Sequence, residues 1–182
     1  MLRSHGMVRE ATNEELRNQY QSNNPRLNPE FIFAYPGYNM RNTEIGGIMG
    51  RSQLKRLDAN INRRTVNLKR FLSQLDGSKY RTDFELEGSS NYAFNLVLQK
   101  PDNSLLQRLM ETMDENGVEY RRGSAGGGNQ LRQPYLKGIV PEGYHKKFPE
   151  IEHVHFYGFY IGNFPNLRGE EIDEICTIVN SA

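Results

Sequence analysis

The 182-residue sequence predicts an α/β fold, in which one long amphipathic helix precedes a small α/β unit with a short, mainly antiparallel sheet. Two observations lead to this prediction. Apolar residues recur near helical spacing from Ile45 to Leu75. Beyond Asp76-Gly77, short runs rich in β-formers alternate with helical patterns, and turn residues separate them. The same pattern is equally compatible with a stable scaffold that carries no chemistry.

The long helix is expected to begin shortly after the turn pair Pro36-Gly37, which ends a short apolar run. Asn42 or Thr43 can cap it, and Glu44 is favourably placed in its first turn. Three early glycines cost about 1 kcal/mol each relative to alanine and usually permit close backbone packing, namely Gly46, Gly47 and Gly50.

The small unit is expected to alternate strands and helices. Asn116-Gly117 is a C-cap pair between its first helix and the next strand. The predicted elements, in chain order, are a strand over 92–98, a helix over 101–115, a strand over 118–122, a strand over 154–161 and a helix over 170–179.

Composition narrows the class of protein. Net charge is +1, so no overall field favours nucleic acid or an anionic membrane as a partner. The single cysteine, Cys176, excludes an internal disulfide. The sequence lacks an apolar run long enough to span a bilayer and a signal-peptide core, so we expect a cytoplasmic protein.

The turn at Tyr38, Asn39, Met40 and Arg41 stands immediately before a helix. Free backbone N–H groups and the positive end of the helix dipole favour a phosphate at such a place. The alternative is that Asn39 relieves turn strain and Arg41 is solvated.

A second candidate is the glycine-rich segment Gly123–Gly128, with Arg121 and Arg122 before it and Asn129 and Arg132 after it. Glycines let backbone amides approach an anion, and guanidinium groups bind phosphate or sugar hydroxyls with fixed geometry. The segment fits neither the P-loop nor the dinucleotide-binding fingerprint. The alternative is a flexible surface loop.

His153 and His155 would share one face of the predicted strand over 154–161. With Glu150 or Glu152 they suggest a metal site, but no third ligand stands at a suitable spacing, so no metal is predicted. His155 remains a candidate substrate contact.

Three strings taken together resemble the DegT/DnrJ/EryC1/StrS family of pyridoxal-phosphate enzymes, which aminate or dehydrate nucleotide-linked keto-sugars. They are Gly-Tyr-Asn-Met-Arg-Asn-Thr-Glu at 37–44, Gln-Leu-Lys-Arg-Leu-Asp at 53–58 and Gly-Asn-Gln-Leu-Arg-Gln-Pro at 128–134. The last string looks like that of the deoxysugar 3-dehydratase and lipopolysaccharide-sugar branch. The resemblance implies cofactor contact by Tyr38, Asn39 and Arg41. It implies substrate contact by the residues Arg121, Arg122, Asn129, Arg132 and His155.

The resemblance also implies the C-terminal part of a fold-type-I enzyme. Residues 1–76 would be the end of the large cofactor domain plus the linking helix, and residues 77–182 the small α/β domain. The lysine or histidine next to the cofactor would lie before residue 1, so the chain would bind pyridoxal 5′-phosphate or pyridoxamine phosphate only with an N-terminal part or a partner subunit. The expected assembly is a homodimer or an association with the N-terminal half. The expected role is O-antigen biosynthesis, and catalysis by the chain alone is not expected. The alternative is a degenerate, non-catalytic binding or dimerisation module.

Overall fold

The computed structural model describes residues 1, 4–39, 43–123 and 128–182. Short 3-10 turns connect several of the regular elements. The helices are α1 (Glu14–Asn23), α2 (Glu44–Leu54), α3 (Leu57–Gln74), α4 (Asn103–Glu115), α5 (Pro149–Tyr157) and α6 (Gly169–Asn180), and the strands are β1 (Ala93–Val97), β2 (Tyr120–Arg122) and β3 (Gly158–Gly162). None of the helices in the described ranges is long and apolar enough to cross a membrane.

Contacts divide the chain into two compact units. The loop unit comprises residues 1–46 and 122–156, and the sheet unit comprises residues 47–121 and 157–182. This partition is interleaved along the chain, unlike the predicted boundary at residue 76. The assignment of residues 1–76 to the end of a cofactor domain therefore stays a prediction.

The sheet unit is built on a three-stranded sheet in the order β1-β3-β2, with β1 and β3 antiparallel and Phe94 opposite Ile161. Apolar residues of β1, β3, α3, α4 and α6 form one core. Phe71 of α3 stacks on Phe94 of β1 at 4.5 Å between ring centroids, and both are fully buried. The predicted short, mainly antiparallel sheet is confirmed.

Local signals placed α4 correctly. The Asp102 carboxylate accepts hydrogen bonds from the backbone N–H groups of Ser104 and Leu105, both at 2.9 Å, which satisfies two donors at the start of the helix. Gly117 follows its end with φ +67°, a left-handed conformation that glycine adopts without strain.

The predicted long helix is two helices, because the chain turns at Lys55 and Arg56 between α2 and α3. The Thr43 hydroxyl accepts from the Gly46 N–H at 3.3 Å, so the predicted cap forms. Every described side chain of α2 is exposed, and nothing lies within 4 Å of a Cβ added at Gly47 or Gly50. The glycines lower the helix propensity of α2, and its exposed side chains make no packing contacts with described residues that would offset this cost. A break in the helix before α3 is therefore expected.

The third strand was predicted to begin at Val154, but the chain is helical through Tyr157 and β3 begins at Gly158. The density of aromatic residues over 156–160 favoured a longer strand in the sequence. Helical geometry places residues two apart on different faces, so His153 and His155 do not share a face as predicted.

In the loop unit, residues 4–8 run beside residues 32–39. The Val8 N–H donates to the Ile32 carbonyl at 2.9 Å, and the Ala34 N–H donates to the Gly6 carbonyl at 3.0 Å. A Cβ at Gly6 would lie 1.9 Å from the Tyr35 carbonyl oxygen, so only glycine allows this approach. A small core of Val8, Leu27, Ile32 and Ala34 lies beneath.

Candidate functional site

Of the predicted cofactor turn, the structure describes Tyr38 and Asn39, and both are exposed. Tyr38 is 73% exposed, and its carbonyl accepts a hydrogen bond from the His5 N–H at 3.1 Å. Asn39 forms an isolated antiparallel bridge with Ser4, while its side chain is exposed. Arg41 lies outside the described residues. The side-chain amide of Asn39 is thus exposed, five residues before α2 begins at Glu44.

Asn129, after the glycine-rich segment, is 2% exposed and makes three kinds of hydrogen bond. Its backbone N–H donates to Nδ1 of His155 at 3.1 Å, and its side-chain N–H donates to Oε1 of Glu152 at 2.8 Å. Its side-chain oxygen accepts from the Leu131 N–H at 3.0 Å. The side chain predicted to contact substrate is therefore engaged within the chain.

Arg132 forms a two-pronged ion pair with Glu152. Its Nε donates to Oε1 at 2.8 Å and its Nη2 to Oε2, while the guanidinium lies over the Phe156 ring at 4.9 Å. The two charged side chains are only 12% and 19% exposed. Hydrogen bonding from Arg132 lowers the pKa of Glu152, so the carboxylate is charged at neutral pH.

His155 is 2% exposed, and its two ring nitrogens have different partners. Nδ1 accepts from Asn129, so the ring proton of the neutral form is on Nε2, which lies 3.4 Å from the Arg26 carbonyl oxygen. Burial lowers the pKa of His155, and the charge of Arg132 acts in the same direction. His155 is therefore held in its neutral form, and its ring positions the backbone of Asn129 and Arg26.

The two described glycines of the loop meet at its base. The Gly128 N–H donates to the Gly123 carbonyl at 2.8 Å, and Gly123 has φ +58°. A Cβ at Gly128 would lie 2.3 Å from Nδ1 of His155 and 2.7 Å from the Gly123 carbonyl oxygen. The Gly128 position therefore excludes any side chain.

Gln133 connects this loop to the segment that leads towards Asn39. Its side-chain oxygen accepts from the Phe33 N–H at 2.8 Å, and its side-chain N–H donates to the Phe31 carbonyl at 3.0 Å. The Tyr135 N–H donates to the Phe33 carbonyl at 3.2 Å. With 2% of its surface exposed, Gln133 replaces the hydrogen bonds that a neighbouring strand would supply.

The two arginines before the loop have different environments. Arg122 donates from Nη2 to the Phe156 carbonyl at 2.9 Å. Arg121 is exposed and makes no hydrogen bond or ion pair with a described residue. Arg121 is the last residue of its segment of the sheet unit, and Arg122 belongs to the loop unit.

Sequence reasoning missed the roles of two residues, the partly buried Glu152 and the buried Gln133. Glu152 was considered only as a metal ligand, and Gln133 only as part of a motif. The residues around Glu152 in the sequence, including Phe148 and Pro149, do not indicate that its partner is Arg132. Over the described ranges, no cluster of three or more histidine, cysteine or acidic side chains could hold a metal ion.

Comparison with known proteins decides the family. The model of the DegT/DnrJ/EryC1/StrS aminotransferase family matches residues 1–180. The chain belongs to this family. A curated relative from Escherichia coli O55:H7, GDP-4-keto-6-deoxy-D-mannose 3-dehydratase, is 26% identical over 173 residues, which are 94% of this chain and 44% of that protein. The lipopolysaccharide biosynthesis protein RfbH of Salmonella typhimurium is 25% identical over 156 residues, 80% of this chain and 34% of that protein.

Solved structures of similar proteins share the fold. The E. coli 3-dehydratase with bound hydrated pyridoxal phosphate superposes with a TM-score of 0.63 at 25% identity, over 98% of this chain and 45% of that one. An aminotransferase from Psychrobacter cryohalolentis gives a TM-score of 0.61 at 19% identity, which speaks for the fold alone, over 99% of this chain and 46% of that one. The chain thus spans less than half the length of the relatives it matches.

Proposed function

We propose that the chain is the C-terminal portion of an enzyme that uses pyridoxal or pyridoxamine phosphate to aminate or dehydrate a nucleotide-linked keto-sugar for surface polysaccharide. The single observation that carries this proposal is the family match over residues 1–180, together with relatives named as GDP-sugar 3-dehydratases. A solved structure of the E. coli 3-dehydratase holds hydrated pyridoxal phosphate.

The residues of the exposed turn fit a cofactor phosphate. Asn39 offers a side-chain N–H donor that makes no hydrogen bond to a described residue, and the N-terminus of an 11-residue helix follows. Tyr38 stands exposed beside it. We infer that Asn39 donates to the phosphate of the cofactor and that Tyr38 and Arg41 lie beside it. When bound, pyridoxal phosphate supplies the electron sink that stabilises a carbanion of the substrate.

The polar residues that follow the glycine segment, and the histidine of α5 that binds them, take a different role in this proposal. Asn129, Arg132 and His155 use their polar groups on Glu152, on each other and on Arg26, so they position the loop. The Arg122 guanidinium, which lies beside Phe156, is then a substrate contact in this proposal.

The apolar residues along α2 and the start of α3 support association with another polypeptide. Their side chains are 37–71% exposed, which is unusual for a row of large aliphatic groups: Ile45, Ile48, Met49, Leu54, Leu57 and Ile61. A second copy or an N-terminal polypeptide bearing the lysine or histidine would cover them. In either case, the second polypeptide would supply the remaining residues of the cofactor site.

Cofactor binding tests the proposal. The protein is isolated with any polypeptide that accompanies it, and pyridoxal phosphate is titrated by equilibrium dialysis. Loss of a hydrogen bond to a charged group costs about 1.5–3 kcal/mol, so Asn39→Ala should weaken binding roughly 10- to 100-fold. Asn18→Ala, an exposed asparagine on α1, is the matched control. Dimerisation without any cofactor binding would favour the non-catalytic module instead.

A further inference from the structure

One backbone position in the loop unit is strained. Among the non-glycine residues in the described ranges, His5 alone has a positive φ, at +57°. This left-handed region brings the Cβ of an L-residue close to the following carbonyl oxygen, which costs free energy. Residues stay in such a conformation only where the surrounding structure holds them there, and these positions are concentrated at functional sites. The contacts around His5 therefore show what the strain maintains.

His5 and Gly6 are the two central residues of a tight turn from Ser4 to Met7. The Met7 N–H donates to the Ser4 carbonyl at 3.0 Å, and Gly6 also has a positive φ, at +72°. Positive φ at both central residues is characteristic of a type I′ turn. The Met1 carbonyl accepts from the Ser4 N–H at 2.9 Å and from the Gly6 N–H at 3.0 Å. A residue at position 5 must therefore accept the left-handed conformation for this turn to form.

The turn contacts the residues that carry the proposed phosphate donor. The His5 N–H donates to the Tyr38 carbonyl at 3.1 Å, and the buried Ser4 forms an antiparallel bridge with Asn39. The backbone of Asn39 is thus held by the turn, while its side chain is exposed. This arrangement fixes the starting point of the Asn39 side chain and leaves its amide available to a ligand.

Gly6 fixes the other end of the same segment. Its carbonyl accepts from the Ala34 N–H at 3.0 Å, and a side chain at Gly6 would collide with the Tyr35 carbonyl. Three consecutive residues of one turn therefore hold the segment 34–39 at both ends. A donor that is held in place before its ligand arrives binds at a lower entropy cost.

The imidazole of His5 takes no part in these hydrogen bonds. It is exposed, makes no hydrogen bond or ion pair with a described residue, and meets the Phe33 ring edge to face at 6.2 Å between centroids. Backbone atoms make the contacts that reach Tyr38 and Asn39. The property that matters at position 5 is therefore tolerance of a positive φ.

We propose that His5 is a positioning residue, whose left-handed backbone shapes the turn that places the Asn39 amide for the cofactor phosphate. This role rests on the proposed function, since it requires that Asn39 bind that phosphate. A hydrogen bond needs the amide nitrogen within about 3 Å of a phosphate oxygen and in good alignment. A relaxed turn would have to be rebuilt on binding, so the apparent affinity would fall with the fraction of molecules that still hold the turn.

Equilibrium dialysis of pyridoxal phosphate tests this role in variants that differ in their tolerance of a positive φ. The protein is isolated with any polypeptide that accompanies it. Glycine has no Cβ and asparagine is enriched in the left-handed region, so His5→Gly and His5→Asn should bind within about twofold of the wild type. His5→Val introduces a β-branched residue that disfavours this region and should weaken binding roughly tenfold. His145→Val makes the same exchange at a histidine with negative φ and should leave binding unchanged.

Hydrogen exchange without the cofactor reports on the turn directly. The amide at position 5, which donates to Tyr38, should stay protected in His5→Gly and His5→Asn and lose protection in His5→Val. The Val8 amide donates to the Ile32 carbonyl, and its protection in every variant would show that the loop unit remains folded. If His5→Val also loses protection at Val8, His5→Ala replaces it, because alanine is less disfavoured at a positive φ than a β-branched residue.

Two results would overturn this role alone. One is cofactor binding that Asn39→Ala weakens and His5→Val does not. The other is a loss of affinity in His5→Gly and His5→Asn as large as that in His5→Val, which would show that the imidazole itself is needed. A wild-type protein that binds no cofactor would overturn the proposed function, and this role with it.

Discussion

The backbone N–H of Asn129 donates to Nδ1 of His155 at 3.1 Å, and this contact fixes the buried imidazole as its neutral Nε2–H form. Protonation would put a hydrogen on Nδ1 and replace an attraction with a clash between two donors. The base of the glycine loop therefore depends on the protonation state of one histidine. Its unfolded pKa lies close to physiological pH.

We predict that the loop unit loses stability as pH falls from about 7 towards the lowered pKa of His155. Burial lowers the folded pKa below the usual value of about 6.5, so over that window the unfolded chain binds a proton that the folded chain does not. Stability is then fully present above the unfolded pKa and decreases below it. Denaturant unfolding from pH 7.5 to 5.5 should show this slope, and His155→Gln should reduce it. The same slope in His155→Gln as in the wild type would contradict the assignment, and His153→Gln is the control.

The Arg132–Glu152 pair should matter for stability because it is largely shielded from water. Glu152→Gln leaves the Arg132 charge, 12% exposed, without its partner, and we expect a loss of about 2 kcal/mol in the free energy of unfolding. Glu142→Gln, at an exposed loop position, removes the same charge and should cost little. Urea unfolding measures both. Equal effects would show that the pair is no more than a surface contact.

Gln133→Leu should destabilise the protein by about 2 kcal/mol. The change leaves the Phe33 N–H and the Phe31 carbonyl without their hydrogen-bond partner, and a buried unpaired backbone group costs about 1–3 kcal/mol. Hydrogen exchange at the Phe33 amide should accelerate with it. Gln130→Leu, an exposed position in the same loop, serves as control, and protection of Phe33 that survives Gln133→Leu would refute the strand-like role.

Two glycine-to-alanine changes should have opposite signs. Gly128→Ala places a methyl group 2.3 Å from Nδ1 of His155 and should destabilise the loop. Gly47→Ala meets nothing within 4 Å in the middle of α2 and should stabilise the protein by up to about 1 kcal/mol through helix propensity. Thermal unfolding compares them. A loss of stability in Gly47→Ala would indicate that another surface packs against α2.

The sequence predicted the regular elements best where a local signal defines them. Asp102 capped α4 and Gly117 ended it, because both effects act within one turn of helix. Phe94 and Ile161 alternated as strand residues and were found in the core. The family strings identified the fold, and the structure confirms the small antiparallel sheet.

Contacts between residues far apart in the sequence could not be predicted from local sequence patterns. Nothing near Gln133 in the sequence indicates that it binds the backbone of Phe31 and Phe33, about a hundred residues away. For the same reason the partner of Arg132 was missed, and two of the arginines predicted to contact substrate, Arg122 and Arg132, hydrogen-bond within the chain. The aromatic run over 156–160 misled the strand prediction, since residues that favour strands also occupy the last turn of α5.

The most direct measurement is product analysis with GDP-4-keto-6-deoxy-D-mannose, the sugar named for the curated relatives, in the presence of pyridoxal phosphate and glutamate. The protein is used with every polypeptide that accompanies it, and mass spectrometry reads the sugar nucleotide. Loss of the 3-hydroxyl or gain of an amine, abolished or strongly reduced in Asn39→Ala, is the result we predict. An unchanged sugar nucleotide, from an assembly that retains the cofactor, would contradict the account.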